Sequence, residues 1–126
     1  MRLAIFFSGF AGMSAVALSA ATSHMGPDML SIQQISWMET AIKYQTWHAI
    51  ALLAVSCLSE LYENSLLRIS GYLFMLGIII FCGSLYLLII TGNTALGIAT
   101  PFGGASFILG WGLCAIAGIK IKPRKI

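Results

Sequence analysis

Few side chains in this sequence could do chemistry, and most of those lie within or beside long apolar runs. His24 and His48 could titrate near neutral pH, and Tyr44, Ser84 and Thr100 could exchange hydrogen bonds with them. His48 is the most informative, because the stretch KYQTWHAIALL, residues 43–53, turns from polar and aromatic to pure hydrocarbon immediately after it. Three roles are open to it: a packing histidine bonded to a hydroxyl or carbonyl, a ligand or proton site, and a contact at the lipid headgroups. Two histidines without a third clear ligand do not make a zinc site, so no metal is expected. Cys57, Cys82 and Cys114 each sit in an apolar run without Cys-x-x-Cys spacing and read as small packing residues. No nucleophile elbow, phosphate-binding glycine loop, zinc-protease helix or dinucleotide fingerprint occurs, and no cofactor is implied.

The elements that must hold these residues follow from composition. Of 126 residues, 59% are hydrophobic and 9% are charged, too few charges to cover a water-facing surface. The solvent expected is the lipid bilayer. The fold expected is all-α, an integral membrane four-helix bundle in one domain, because backbone groups in lipid must be satisfied within each segment. Spans are placed at about 3–22, 40–61, 69–91 and 101–119. Gly26-Pro27-Asp28 breaks the chain after the first. Ser36-Trp37-Met38-Glu39 has the form of a capping box and sets the start of the second helix near Trp37. Asn64-Ser65 marks the turn before the third. Thr100-Pro101 reads as a cap followed by proline at the first helical position.

Six of the seven cations fall on one side of these spans: Arg2, Arg68, Lys120, Lys122, Arg124 and Lys125, against Lys43 alone. This bias places both termini in the cytoplasm, or in the matrix if the membrane is organellar. The basic tail is too short for a nucleic-acid platform, and no nucleic-acid partner is expected. A cleaved leader ending near Ser19-Ala20-Ala21 is the alternative reading of the first span, whose apolar core is longer than leaders carry.

With helix two entering the bilayer near Thr40, His48 lies about 12 Å below the outer boundary and must face protein or a wet cavity. Trp37, Tyr44, Gln45, His48, Leu52 and Val55 share one helical face, with Glu39 and Lys43 paired on roughly the opposite one. His24, Tyr44, His48, Ser84 and Thr100 are therefore expected to form a polar layer in the outer half of the membrane. Trp37, Tyr44, Trp47 and Tyr86 suit an aromatic belt, and Trp111 a buried contact with a neighbour. Gly83, Gly103 and Gly104 should let backbones approach. Ser106, Gly110, Cys114 and Gly118 recur every fourth residue as a packing stripe, as do Ala11, Ala15, Ser19 and Ser23 on the first span.

The blocks WMETAIKYQTWHAIALL, FCGSLYLL and TPFGGASFILGW together resemble the YgdD-like proteins, small four-span membrane proteins of unknown function. The similarity covers nearly the whole chain. The family's Gly-Ala-Phe-Gly-Ala-His block reads Ser19-Ala20-Ala21-Thr22-Ser23-His24 here, with serine at both glycine positions. The resemblance implies a bacterial inner-membrane or organellar location and no activity. The functional reading is a non-enzymatic accessory or interaction subunit, associated with a larger membrane complex or with copies of itself. A small transporter or ligand-binding bundle using the polar layer is the alternative, and a membrane enzyme comes third.

Overall fold

A computed structural model describes residues 1–26 and 28–122. The described residues are mostly helical, with no strand among them. Helix α1 spans Arg2–His24 and α2 spans Ile32–Tyr62. A third rod consists of α3 (Ser65–Gly77), a π-helical turn (Ile78–Cys82) and α4 (Gly83–Thr91). A 3₁₀ turn (Thr94–Ile98) then leads into α5 (Thr100–Lys120). Among the described residues, three stretches are long and apolar enough to cross a membrane: Arg2–His24, Ser65–Thr91 and Thr94–Lys120. Helix α2 is longer than any of them but less apolar, because Lys43, Gln45 and His48 interrupt its hydrocarbon.

The helix ends have local causes. The capping box belongs to Ser31 and Gln34, not to Ser36 and Glu39: Gln34 N–H donates to Ser31 Oγ at 3.1 Å, and Ser31 N–H donates to Gln34 Oε1 at 2.9 Å. Helix α2 thus begins at Ile32 and, with 31 residues, measures about 46 Å against a hydrocarbon core of about 30 Å. Asn64 caps α3, its Oδ1 accepting from Leu66 N–H at 2.8 Å and Leu67 N–H at 3.3 Å. Gly92 ends α4 at φ +67°, a left-handed conformation that glycine adopts without steric cost. Thr100 does not cap α5. The cap position falls to Ala99, since the 3₁₀ turn already brings the chain in as helix and leaves no extended residue for a cap.

The helices form an open array rather than a closed ring. Helix α1 packs on α2, α2 on the rod, and the rod on α5, but no packed interface joins α1 to α5. Met1 N stands 3.6 Å from Glu60, and Lys120 and Lys122 line a recess with Tyr62–Leu66. The start of α1, the α2–α3 turn and the end of α5 therefore share one end of the array. Arg124 and Lys125 lie outside the described residues, as does Pro27 in the turn after α1.

The period-four stripes drift off the interfaces. Each fourth residue advances about 40° around a helix, so three steps rotate the stripe by about 120°. On α5, Ser106 and Gly110 are buried, Cys114 is half-buried and Gly118 is exposed; Ala117 takes the place next to the rod. On α1, Ala4, Ser8, Ala11 and Ala15 are buried, alternating steps of four and three, whereas Ser19 and Ser23 are exposed.

Candidate functional site

Helix α2 is the central positioning element, because it has a neighbour on two sides. Gln45 and Ala49 meet α1, and Tyr44 and His48 meet the rod and α5. His48 is 4% exposed. Its Nδ1 lies 2.7 Å from the Tyr44 carbonyl oxygen, which can only accept, so Nδ1 carries the proton. Its Nε2 accepts the indole N–H of Trp111 across 3.2 Å. The ring stacks on Phe107 with centroids 3.5 Å apart and an interplanar angle of 13°. These contacts define a neutral imidazole whose one lone pair is already engaged. Nothing is left to ligate a metal, and a second proton on Nε2 would face another N–H.

Gln45 joins three elements. Its amide donates to the Ala11 carbonyl and to Ser14 Oγ, both at 2.8 Å, and its Oε1 accepts from Tyr86 Oη at 2.7 Å. Tyr86 thus faces the interior and is not part of an aromatic belt. Ser84 and Thr100 hydroxyls meet at 2.7 Å, tying α4 to α5, and Ser84 also donates to Phe81 O at 2.9 Å. Tyr44 contributes its ring, 4.7 Å from Phe81 and 6.1 Å from Phe107. His24 is exposed at the end of α1, away from the other four. The sequence-predicted residues therefore fall into an aromatic–imidazole cluster around His48, a hydroxyl pair at Ser84–Thr100, and an isolated His24.

A groove of about 330 Å³ opens beside the His48 cluster, with Trp47 and Ile108 at its sides and Phe107 and Trp111 along α5. Trp111 is 49% exposed, so it shields the imidazole edge without being buried itself. Lys43 Nζ lies 5.7 Å from the Trp47 ring centroid, and among the described residues no ion pair links it to Glu39. No group of three metal-ligating side chains occurs among the described residues.

Glycine makes the closest helix contact. A Cβ on Gly103 would fall 2.4 Å from Phe81 N and 2.7 Å from Phe81 Cα, both backbone atoms of the π-helical turn. Gly110 likewise faces the Phe74 ring, and Gly104 has ordinary contact with Phe81. Gly83 and Gly118 have open space beside them. Three buried hydroxyls also stitch helices, Ser106 of the expected stripe and two that the sequence did not single out: Ser106 Oγ donates to Leu73 O (2.7 Å), Ser8 Oγ to Ala49 O (2.8 Å) and Ser70 Oγ to Gly110 O (2.8 Å). Of the three only Ser106 was visible in the sequence, through its four-residue spacing; the carbonyl partners on other helices were not.

A family model described as a protein of unknown function, DUF423, matches residues 18–104. The chain belongs to the DUF423 family. It is similar to a UPF0382 membrane protein of Haemophilus influenzae, 38% identical over 111 residues, which covers 88% of this chain and 89% of the relative. A UPF0382 membrane protein of Staphylococcus aureus is 37% identical over 120 residues, 95% of this chain and 98% of the relative. The UPF0382 inner membrane protein YgdD of Escherichia coli is 28% identical over 125 residues, 99% and 95% respectively. No solved structure matches the chain. This DUF423 protein is accordingly a multi-pass membrane protein of the inner membrane, with its apolar helices in the bilayer.

Proposed function

We propose that this DUF423 protein is a non-enzymatic accessory or interaction subunit that crosses the membrane four times, with both termini on the cytoplasmic side. The supporting observation is where its polar groups go. Gln45, His48, Ser84, Tyr86, Thr100 and Trp111 bond to one another or to neighbouring backbone, so the groups best suited to chemistry act as helix clasps. The two edge helices meanwhile present wide apolar faces, Phe6, Phe10 and Met13 on α1 and Phe102, Ile108 and Leu109 on α5. The topology rests on Arg2, Arg68, Lys120 and Lys122 sharing one end of the array while Lys43 lies toward the other. Photo-crosslinkers at Phe10 and Ile108 in native membranes test this reading. One defined product, with another protein or a second copy, is expected. Lipid adducts alone at both positions, with a monomer on gentle solubilisation, would overturn it.

The groove beside His48 favours a second reading, a ligand-binding bundle with its site in the outer half of the membrane. Under it, His48→Ala abolishes a ligand-dependent signal while the helical content is unchanged. Loss of thermal stability alone assigns His48 to packing.

A further inference from the structure

The outer halves of α1 and α2 diverge and leave a groove that the helix clasps do not use. Its upper part, about 320 Å³, is lined by Glu39 and Lys43 of α2 and by Ser19 and Ser23 of α1. Its lower part, about 450 Å³, shares Ser19, Ser23 and Ile42 and continues past Ala15, Val16 and Ala20. The two parts thus run together, charged at the outer end and lined below by small and aliphatic side chains beside the hydroxyls of Ser19, Ser23 and Thr46. We propose that this groove binds one phosphatidylethanolamine molecule, its phosphate on Lys43, its ammonium on Glu39 and one acyl chain along Val16, Ala20 and Ile42.

Charge order along the helix selects this headgroup. Lys43 lies one turn deeper than Glu39, about 6 Å along the axis. In phosphatidylethanolamine the phosphate is attached next to the glycerol and the ammonium lies two carbons beyond it. A lipid entering tail first therefore brings its anion to the lysine and its cation to the glutamate. The pair is available: Glu39 and Lys43 are exposed, and no ion pair joins them to each other or to any other described residue. Lys43 Nζ also lies 5.7 Å from the Trp47 ring, which borders the neighbouring groove beside His48, so the ammonium is shared between that ring and this groove. Ser19 Oγ has no hydrogen-bond partner among the described residues and faces the same groove, where it can donate to a glycerol ester. Phosphatidylglycerol carries the same phosphate but a neutral glycerol beyond it, and leaves Glu39 without a cation. Phosphatidylcholine offers the carboxylate a quaternary ammonium with no N–H to donate.

The test is native mass spectrometry of the full-length protein in mild detergent, with phosphatidylethanolamine, phosphatidylcholine and phosphatidylglycerol of matched chains supplied together. Retention of one phosphatidylethanolamine is expected at about fivefold over the others, the effect of one favourable exposed ion pair. Glu39→Gln should erase its advantage over phosphatidylcholine, and Lys43→Gln should lower retention of all three. Glu60→Gln, at the opposite end, should change neither. Equal retention of the three lipids, or a preference that survives Glu39→Gln, means ordinary annular binding only and overturns the proposal. A photoreactive phosphatidylethanolamine on the unmodified protein gives an independent check. Labels on peptides covering residues 15–23 and 39–46 support the site, and labels confined to α5 refute it.

Discussion

Gly103→Ala is the sharpest perturbation the packing allows. The added Cβ would lie 2.4 Å from Phe81 N, where about 3.5 Å is comfortable. Because the obstacle is backbone, no rotamer change relieves it, and α5 must move away from the π-helical turn by about 1 Å. Two interhelix bonds flank the contact: Ser84–Thr100 and Ser106 to Leu73 O, both at 2.7 Å. A 1 Å separation takes both beyond hydrogen-bond distance. Overpacking costs about 1–3 kcal/mol, and interhelix bonds in membranes average about 0.6 kcal/mol each. The expected loss is therefore about 2–4 kcal/mol. Gly118→Ala is the matched control, with open space at its Cβ on the same helix; it should be neutral or stabilising by up to about 1 kcal/mol from helix propensity. Equilibrium unfolding in mixed micelles, followed by circular dichroism, measures both. Equal stability of the two variants would refute the inferred backbone contact.

Gln45→Leu should cost about 1–2 kcal/mol, since it severs bonds to α1 and α4 together. Tyr86→Phe should show a coupling of at least about 0.5 kcal/mol with it in a double-mutant cycle read by the same unfolding assay. Ser56 Oγ is buried without a hydrogen-bond partner among the described residues, so Ser56→Ala should be neutral or stabilising, whereas Ser70→Ala should cost about 1 kcal/mol through its lost bond to Gly110 O. Nitrogen NMR of labelled histidine should find His48 neutral with the proton on Nδ1, and Trp111→Phe should shift its Nε2 resonance by removing the indole donor. A proton on Nε2 in the unmodified protein would contradict the His48 geometry.

What could be read from the letters depended on whether the determining partner was local. Asn64 and the α2–α3 turn were legible because a cap reaches only two or three residues. The start of α2 was not, because Ser31-x-x-Gln34 and Ser36-x-x-Glu39 carry the same motif five residues apart, and the helix extends to the earlier one. Depth arithmetic brought His48 inside, but its indole partner is 63 residues away and on no shared periodicity. His24 has the right residue type near the right depth, yet it stands exposed at a helix end. Gln45 was on the correct helical face, and only the arrangement of three elements revealed it as a junction. The π-helical turn has no signal in Ile78–Cys82 alone; Gly103, more than twenty residues later, fits against it.

The open array has a consequence for how the chain matures. Most of its packing joins elements consecutive in sequence, with α2 also reaching α5 through His48 and α1 touching α3, and no substantial interface joins the terminal helices. The N-terminal hairpin is fastened by Ser8–Ala49 and by Gln45 to Ala11 and Ser14, none of which requires α5. Such a chain has mostly short loops to close. It can lock its first pair of helices while the last is still being synthesised, and add the remainder to a template already standing in the bilayer.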